Sequence, residues 1–259
     1  MSEGCIGKDN LTAEWLAQEQ EIARTFFSKK NLKDDRGSPV CQSTDCDQYA
    51  RRLLGTDDIR PVDNQGANSY TVICPSQSKI VQFRLKPFKD DIFHFAHQLY
   101  GEISPEIERL DDFVALSAYL STTLRGKVHV LQPFPKDKPF PLEREKKTVI
   151  ALAEIVALSA YFPQPKTVYS TNSWTRSARS TLSQLLVNDN LRNTVPKIIE
   201  KVAALYDELH LLNELPAVLT HPDFTQLNIL VDDDGSVTGV IDFDEAEFEA
   251  LGMCNFGLY

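Results

Sequence analysis

The stretch Leu219-Thr-His-Pro-Asp-Phe-Thr-Gln-Leu-Asn-Ile-Leu-Val-Asp-Asp-Asp-Gly-Ser-Val-Thr-Gly-Val-Ile-Asp-Phe243 decides how the rest of this chain is read. Asn228–Asp232 and Val237–Asp242 are short apolar runs on either side of Asp233-Asp234-Gly235-Ser236, a pattern that spells strand, turn, strand. Antiparallel pairing across that turn sets the start of the first strand against the end of the second. Asn228 and Asp242 therefore converge despite their separation in sequence, and His221 and Asp223 stand in the loop that leads into the pair.

The residue types suggest a chemistry. An amide oxygen and a carboxylate brought together are hard ligands suited to Mg2+ beside the phosphates of ATP. Asp223, just upstream, can accept a substrate hydroxyl proton as a phosphoryl group moves. His221 is better placed to brace the loop than to act as the base. A blander reading stands beside this one, because Asp and Asn are ordinary turn and cap residues and Asp232 to Asp234 read most simply as a solvated turn. The ordered spacing within one hairpin favours the functional reading of Asp223, Asn228 and Asp242.

His221-Pro222-Asp223 with Asn228, followed by Ile241-Asp242-Phe243, resembles the catalytic loop and magnesium-binding Asp of the aminoglycoside phosphotransferase and choline kinase-like family, especially its fungal members. That family's loop usually reads His-Gly-Asp with Leu-Asn or a similar pair beyond it, and its second motif reads Ile-Asp-Trp or Ile-Asp-Phe. The resemblance implies that Asp223 is the catalytic Asp, with His221 beside it, and that Asn228 and Asp242 hold the metal. It implies an α+β, two-lobed, protein-kinase-like fold with a small β-rich amino-terminal lobe, residues 1–120 including a helical extension, and a helical catalytic lobe, residues 121–259. Pro222 stands where the family has Gly, which restricts φ and removes a backbone donor.

Upstream, Tyr70-Thr-Val-Ile-Cys74 and Lys79-Ile-Val-Gln-Phe-Arg84 form a second strand, turn, strand unit, preceded by Gly66-Ala-Asn-Ser69. Gly66, Asn68 and Ser69 can cover phosphates, and Arg84 can grip them through paired hydrogen bonds. Alone this turn would be read as an ordinary hairpin. The resemblance places Arg84 on the strand that carries Lys in protein kinases, and it makes the stretch ending near Tyr119 a hinge that receives adenine. No glutamate partner for the basic residue stands out, with Glu102, Glu106 and Glu108 as candidates.

Further along, Phe113–Tyr119 and Gly126–Leu131 read as short strands, Leu142–Tyr161 as a helix stopped by Pro163 and Pro165, and Thr181–Leu186 as a shorter helix. Pro196–Leu212 reads as an amphipathic helix that tolerates proline in its first turn. Thr12–Lys29 reads as an amphipathic helix and Tyr49–Leu54 as another, with a loop over Asp34–Asp47 between them. Lys136–Pro139 and Ser170–Ser180 read as polar connections.

The 259 residues suffice for two small lobes, and no apolar run approaches the roughly 20 residues that span a bilayer. Net charge is -10, from 37 acids against 27 Lys plus Arg, which argues against a nucleic-acid footprint and suits a cationic small-molecule substrate. Five irregularly spaced cysteines give neither a disulfide framework nor a zinc pattern, so a cytoplasmic setting is expected. Related proteins continue through further helices where this sequence ends at Tyr259. A truncated helical lobe would expose a groove, leave a substrate pocket open, or call for a partner or homo-oligomer that covers it, and an exposed apolar patch would favour the last. The expected function is ATP- and magnesium-dependent transfer of phosphate to a hydroxyl of an amino sugar, amino alcohol or fungal metabolite. An inactive kinase-like binding module and a repurposed ATP-independent cyclase or isomerase are the alternatives.

Overall fold

The computed structural model describes residues 26–28, 32, 40–62, 65–132, 140–165 and 174–253. Most of the expected Thr12–Lys29 helix and the Lys136–Pro139 connection lie outside them, although residues 26–28 are helical. The chain forms two compact units, the first ending at His94 and resumed by Pro105–Thr123, the second made of Phe95–Ser104 and of the chain from Leu124 onward.

The first unit is built on an antiparallel sheet of β1 (Arg60–Pro61), β2 (Ser69–Cys74), β3 (Lys79–Arg84), β4 (Ile107–Leu110) and β5 (Ser117–Thr122), in the order β1-β2-β3-β5-β4. Tyr70 opposes Phe83, Val72 opposes Val81, and Phe83 opposes Ala118, so alternate residues of three strands share one face. That face joins Cys46, Tyr49 and Ala50 of helix α1 (Ser43–Leu54) in one buried cluster. Tyr70 donates to Asp47 at 3.0 Å and Tyr49 donates to Asp112, so both buried phenols keep a polar partner at the rim. Gln65 lengthens the β1 edge by pairing its side-chain amide with both backbone groups of Thr71, at 2.8 Å each.

Two expectations need correction in this unit. Helix α1 starts at Ser43 rather than Tyr49, because Gln42 and Asp45 form a capping box there, with Asp45 accepting from the Gln42 amide at 2.8 Å. The strand expected at Phe113–Tyr119 runs instead over Ser117–Thr122. Phe113 lies before it, packed against Tyr49 and Phe83 with ring centres 4.8 and 4.9 Å away.

The second unit begins within helix α2 (Asp90–Tyr100) and contains β6 (Lys127–Val128), α3 (Leu142–Ala160), α4 (Trp174–Leu186), α5 (Asp189–Thr194) and α6 (Pro196–Glu208). Strands β7 (Ala217–Thr220), β8 (Ile229–Val231), β9 (Val237–Val240) and β10 (Glu247–Ala250) complete it. The helix expected to end at Tyr161 is α3, and Pro196 opens α6 as foreseen. The α6 helix is shorter than expected and gives way to a 3-10 turn at Leu209–Glu214. Helix α4 begins at Trp174, inside a stretch expected to be irregular. The strand expected at Gly126–Leu131 shrinks to β6 and a 3-10 turn at His129–Leu131. Among the described residues no helix is long and apolar enough to cross a membrane.

Candidate functional site

Strand β7 is buried along its whole length and delivers His221 at its end. Beyond the loop, β8 and β9 form the expected hairpin, with Ile229 opposite Val240. The ladder continues one step outward, where the Ile241 amide donates to the Asn228 carbonyl at 2.9 Å. Asn228 thus stands against the residue that precedes Asp242. Strand β10 then runs antiparallel to β7, pairing Glu247 with Thr220, and the Thr220 hydroxyl donates to the Glu247 carbonyl at 3.0 Å. The chain enters and leaves this region on two paired strands, which fixes the loop and the 3-10 turn at Phe243–Glu245 against each other.

Within the loop the hydrogen bonds converge on Asp223. Its carbonyl accepts from the Thr225 amide and from Asn228 Nδ2, both at 2.8 Å, and its carboxylate Oδ2 accepts from the same Nδ2 at 2.7 Å. Asn228 is buried while the carboxylate-bearing residues Asp223 and Asp242 are exposed. Committing the amide nitrogen to Asp223 leaves Oδ1 as the ligand atom of that side chain.

His221 is buried, and its Nε2 lies 2.7 Å from the Ile241 carbonyl oxygen. A carbonyl only accepts, so Nε2 carries the proton and Nδ1 the lone pair. Burial pushes the imidazole below its ordinary pKa, although the Ile241 carbonyl and the nearby Asp242 and Asp223 carboxylates pull the other way. The ring meets Phe243 edge-on with centres 4.9 Å apart. These contacts make His221 a brace for the loop, and they hold Asp242 in the left-handed region, at φ 64° and ψ 53°.

The far end of the hairpin is anchored on α3. Gly235 has φ +86°, and its carbonyl accepts from the Thr148 hydroxyl at 2.8 Å. Lys147 pairs with Asp234, and Asp232 Oδ1 accepts from the Ser236 amide at 3.1 Å inside the turn. Nearby, His129 Nε2 and Arg144 Nη2 reach the two oxygens of Glu145 at 2.9 and 2.8 Å. No local pattern marks Thr148 or Glu145, since Gly235 and His129, which they meet, lie 87 and 16 residues away along the chain.

The remaining candidates all belong to the first unit. Gly66 and Asn68 are exposed in the turn before β2. Ser69 is buried, and its hydroxyl accepts from Gln82 Nε2 at 3.1 Å. Arg84 is also buried, its guanidinium lying 4.1 Å above the ring centre of Phe88. Tyr119 is taken up in packing: its ring lies 4.5 Å from that of Phe88, and its hydroxyl accepts from the Phe88 amide at 2.9 Å. Ser69 and Arg84 face each other across β2 and β3, on the side of the sheet that α1 does not cover.

Among the described residues no three His, Cys, Asp or Glu side chains are grouped to hold a metal ion. The Asn228 amide oxygen and the Asp242 carboxylate are hard oxygen donors of the kind Mg2+ takes, and that ion commonly uses one or two protein ligands and completes its shell with phosphates and water.

Residues 149–249 match the sequence pattern of the phosphotransferase enzyme family, APH. No curated protein matches the sequence. Several solved structures share the fold. A thermostable mutant of aminoglycoside phosphotransferase APH(4)-Ia, in a ternary complex with ADP and hygromycin B, aligns with a TM-score of 0.51 at 17% identity, covering 78% of this chain and 72% of its own. APH(3'')-Id from Streptomyces rimosus aligns at 0.51 and 17% identity over 83% and 82% of the two chains. The GDP and kanamycin complex of APH(2'')-IIia aligns at 0.53 and 12% identity over 81% and 76%. The chain therefore has an α+β, protein-kinase-like fold, and over the segment that holds His221, Asp223, Asn228 and Asp242 it resembles the phosphotransferase enzyme family.

Proposed function

We propose that this protein transfers the γ-phosphate of ATP to a hydroxyl of a small molecule. The observation that carries the reading is the pair of bonds from Asn228 Nδ2 to the carbonyl and carboxylate of Asp223, at 2.8 and 2.7 Å. They set the candidate base at a fixed distance from a hard oxygen ligand, and the ladder bond from Ile241, just past the end of β9, ties that ligand to the residue before Asp242. Phosphoryl transfer asks little covalent work of a protein and depends on positioning and charge stabilisation, which is what such a rigid loop supplies.

Asp223 orients the acceptor hydroxyl and takes up its proton as the bond to phosphorus forms, a role open to it because the residue is exposed. Asn228 Oδ1 and the Asp242 carboxylate would hold Mg2+, which when bound offsets charge on the phosphates. His221 works through the backbone and keeps Asp242 turned outward. Gly66 and Asn68 are the exposed nucleotide contacts of the first unit, and Arg84 supplies a fixed positive charge there. Nucleotide use is supported by the ADP, AMP-PNP and GDP in structures of the same fold. Their other ligands, hygromycin B and kanamycin, suggest an amino sugar as the acceptor, and a net charge of -10 suits a cationic one.

The test is transfer of labelled γ-phosphate from ATP, with and without Mg2+, across a panel of aminoglycosides and amino alcohols, using the intact chain and Asp223→Asn. Metal-dependent labelling of an acceptor that is lost in the variant supports the proposal. Absence of both nucleotide binding and turnover across the panel overturns it.

A further inference from the structure

Helix α1 opens on two thiols in contact. Gln42 caps it, so Cys41 is the residue before the cap and Cys46 the fourth within the helix, the two positions at which a hydrophobic staple pairs side chains around a capping box. Here both members are cysteines, with Sγ atoms 3.7 Å apart. The step from that contact to the roughly 2.05 Å of a disulfide is small. Cys41 is 1% exposed and Cys46 fully buried, yet Val40, Gln42, Thr44 and Asp45 around them are exposed. Cys41 therefore lies one residue from solvent on either side, at a helix end, where local opening costs least.

The two thiols are unequal. The bond from the Cys46 thiol holds the Cys41 sulfur below the ordinary thiol range, against burial and the Asp45 charge, and the same bond together with burial drives Cys46 up. We propose that Cys41 and Cys46 are a modification site, at which a small-molecule disulfide of the glutathione class converts the staple into a covalent bond. The Cys41 thiolate attacks one sulfur of that disulfide and expels the first small thiolate, which takes up the proton Cys41 lost. Cys46 then gives up its proton, attacks the Cys41 sulfur of the mixed disulfide and expels the second thiolate, which is protonated in turn. Two protein thiols are oxidised, and one small disulfide is reduced to two thiols. The bridge fastens the entering chain to the first turn of the helix whose Tyr49 and Ala50 pack on the sheet of the first unit.

The full chain is equilibrated with a series of reduced and oxidised glutathione ratios, in native buffer and in urea, quenched in acid and mapped by peptide mass spectrometry. The folded chain is expected to form the Cys41–Cys46 bridge with an equilibrium constant about tenfold above that of the unfolded chain, because folding already holds the sulfurs in contact. A folded constant no greater than the unfolded one, or a mixed disulfide that never resolves into the bridge, overturns the proposal on the unmutated chain alone. Cys46→Ser is expected to stop the reaction at a mixed disulfide on Cys41, and Cys41→Ser to leave Cys46 unmodified in the folded chain. The reverse order overturns the assignment of Cys41 as the attacking thiol. No turnover enters the readout, so absence of phosphate transfer and absence of this bridge are separable results.

Discussion

Replacing Gly235 by alanine tests whether the hairpin is fixed by its seat on α3. Gly235 is buried with φ +86°, and an added Cβ would overlap the Arg144 carbonyl oxygen and lie 2.6 Å from Arg144 Cγ. Left-handed backbone costs a non-glycine residue about 1–2 kcal/mol. The overlap is with helix backbone, so the turn must lift, which breaks the bond from the Thr148 hydroxyl to the Gly235 carbonyl, worth about 1 kcal/mol. The sum is about 2–3 kcal/mol, or roughly 4–12 °C in the melting temperature of a unit this size. Calorimetry on Gly235→Ala, Thr148→Val and the double variant measures it. Because the first change already breaks the bond that the second deletes, the double variant should fall short of additivity by about 1 kcal/mol. Full additivity, or an unchanged melting temperature in Gly235→Ala, would show that the turn does not rest on α3 as described.

Asp223→Asn and Asp242→Asn should each lower phosphate transfer by about 10²–10⁴-fold while leaving the melting temperature nearly unchanged, since both residues are exposed; steady-state kinetics beside calorimetry checks both halves. Tyr70→Phe should lose about 1 kcal/mol of stability through its bond to Asp47 at 3.0 Å, read as a shift in urea midpoint. Acid should destabilise the second unit through Glu145. Burial alone would raise that carboxyl, but the bonds and charges of Arg144 and His129 outweigh it and hold it below its ordinary pKa. A depressed carboxyl contributes stability above its unfolded value that is lost as pH falls through the lower folded value. Denaturation series below the ordinary carboxylate range should therefore show a steeper fall for the natural chain than for Glu145→Gln, and parallel curves would refute the assignment.

The elements legible in the sequence are those that carry their own periodicity. Tyr70, Val72 and Cys74 alternate toward one face, and Val81 and Phe83 answer them, so β2 and β3 were readable residue by residue. Helix α3 was readable because buried Thr148, Leu152, Ile155 and Ser159 recur at helical spacing. Of helix α4 only Thr181–Leu186 was readable; its first half was not, because Thr175, Arg176, Ser177 and Ser180 place polar residues where an apolar stripe would announce it. The start of α1 was missed because Gln42 is an uncommon cap, and its partner Asp45 reads equally well as a loop residue. Phe113 suggested a strand because aromatic residues favour strands, yet it serves as a plug against Phe83 from a turn.

The site divides in the same way. That Asn228 would stand beside the residue before Asp242 could be read from spacing, because a two-stranded hairpin has only one way to bring its ends together. What holds Asp242 in place could not. Its left-handed backbone is unfavourable for a non-glycine residue by about 1–2 kcal/mol, and it persists because buried Phe243 and the His221–Ile241 bond fix the residues on both sides. That strain makes the choice of substitution matter. Alanine at this position would remove the carboxylate and also tolerate the conformation poorly, so lost activity would not separate chemistry from a displaced turn. Asparagine enters the left-handed region more readily than other side-chain-bearing residues and is close to aspartate in shape, so Asp242→Asn changes the charge and leaves the turn in place. A chain that keeps its melting temperature with asparagine at 242, loses it with alanine, and loses transfer with both is what this geometry requires.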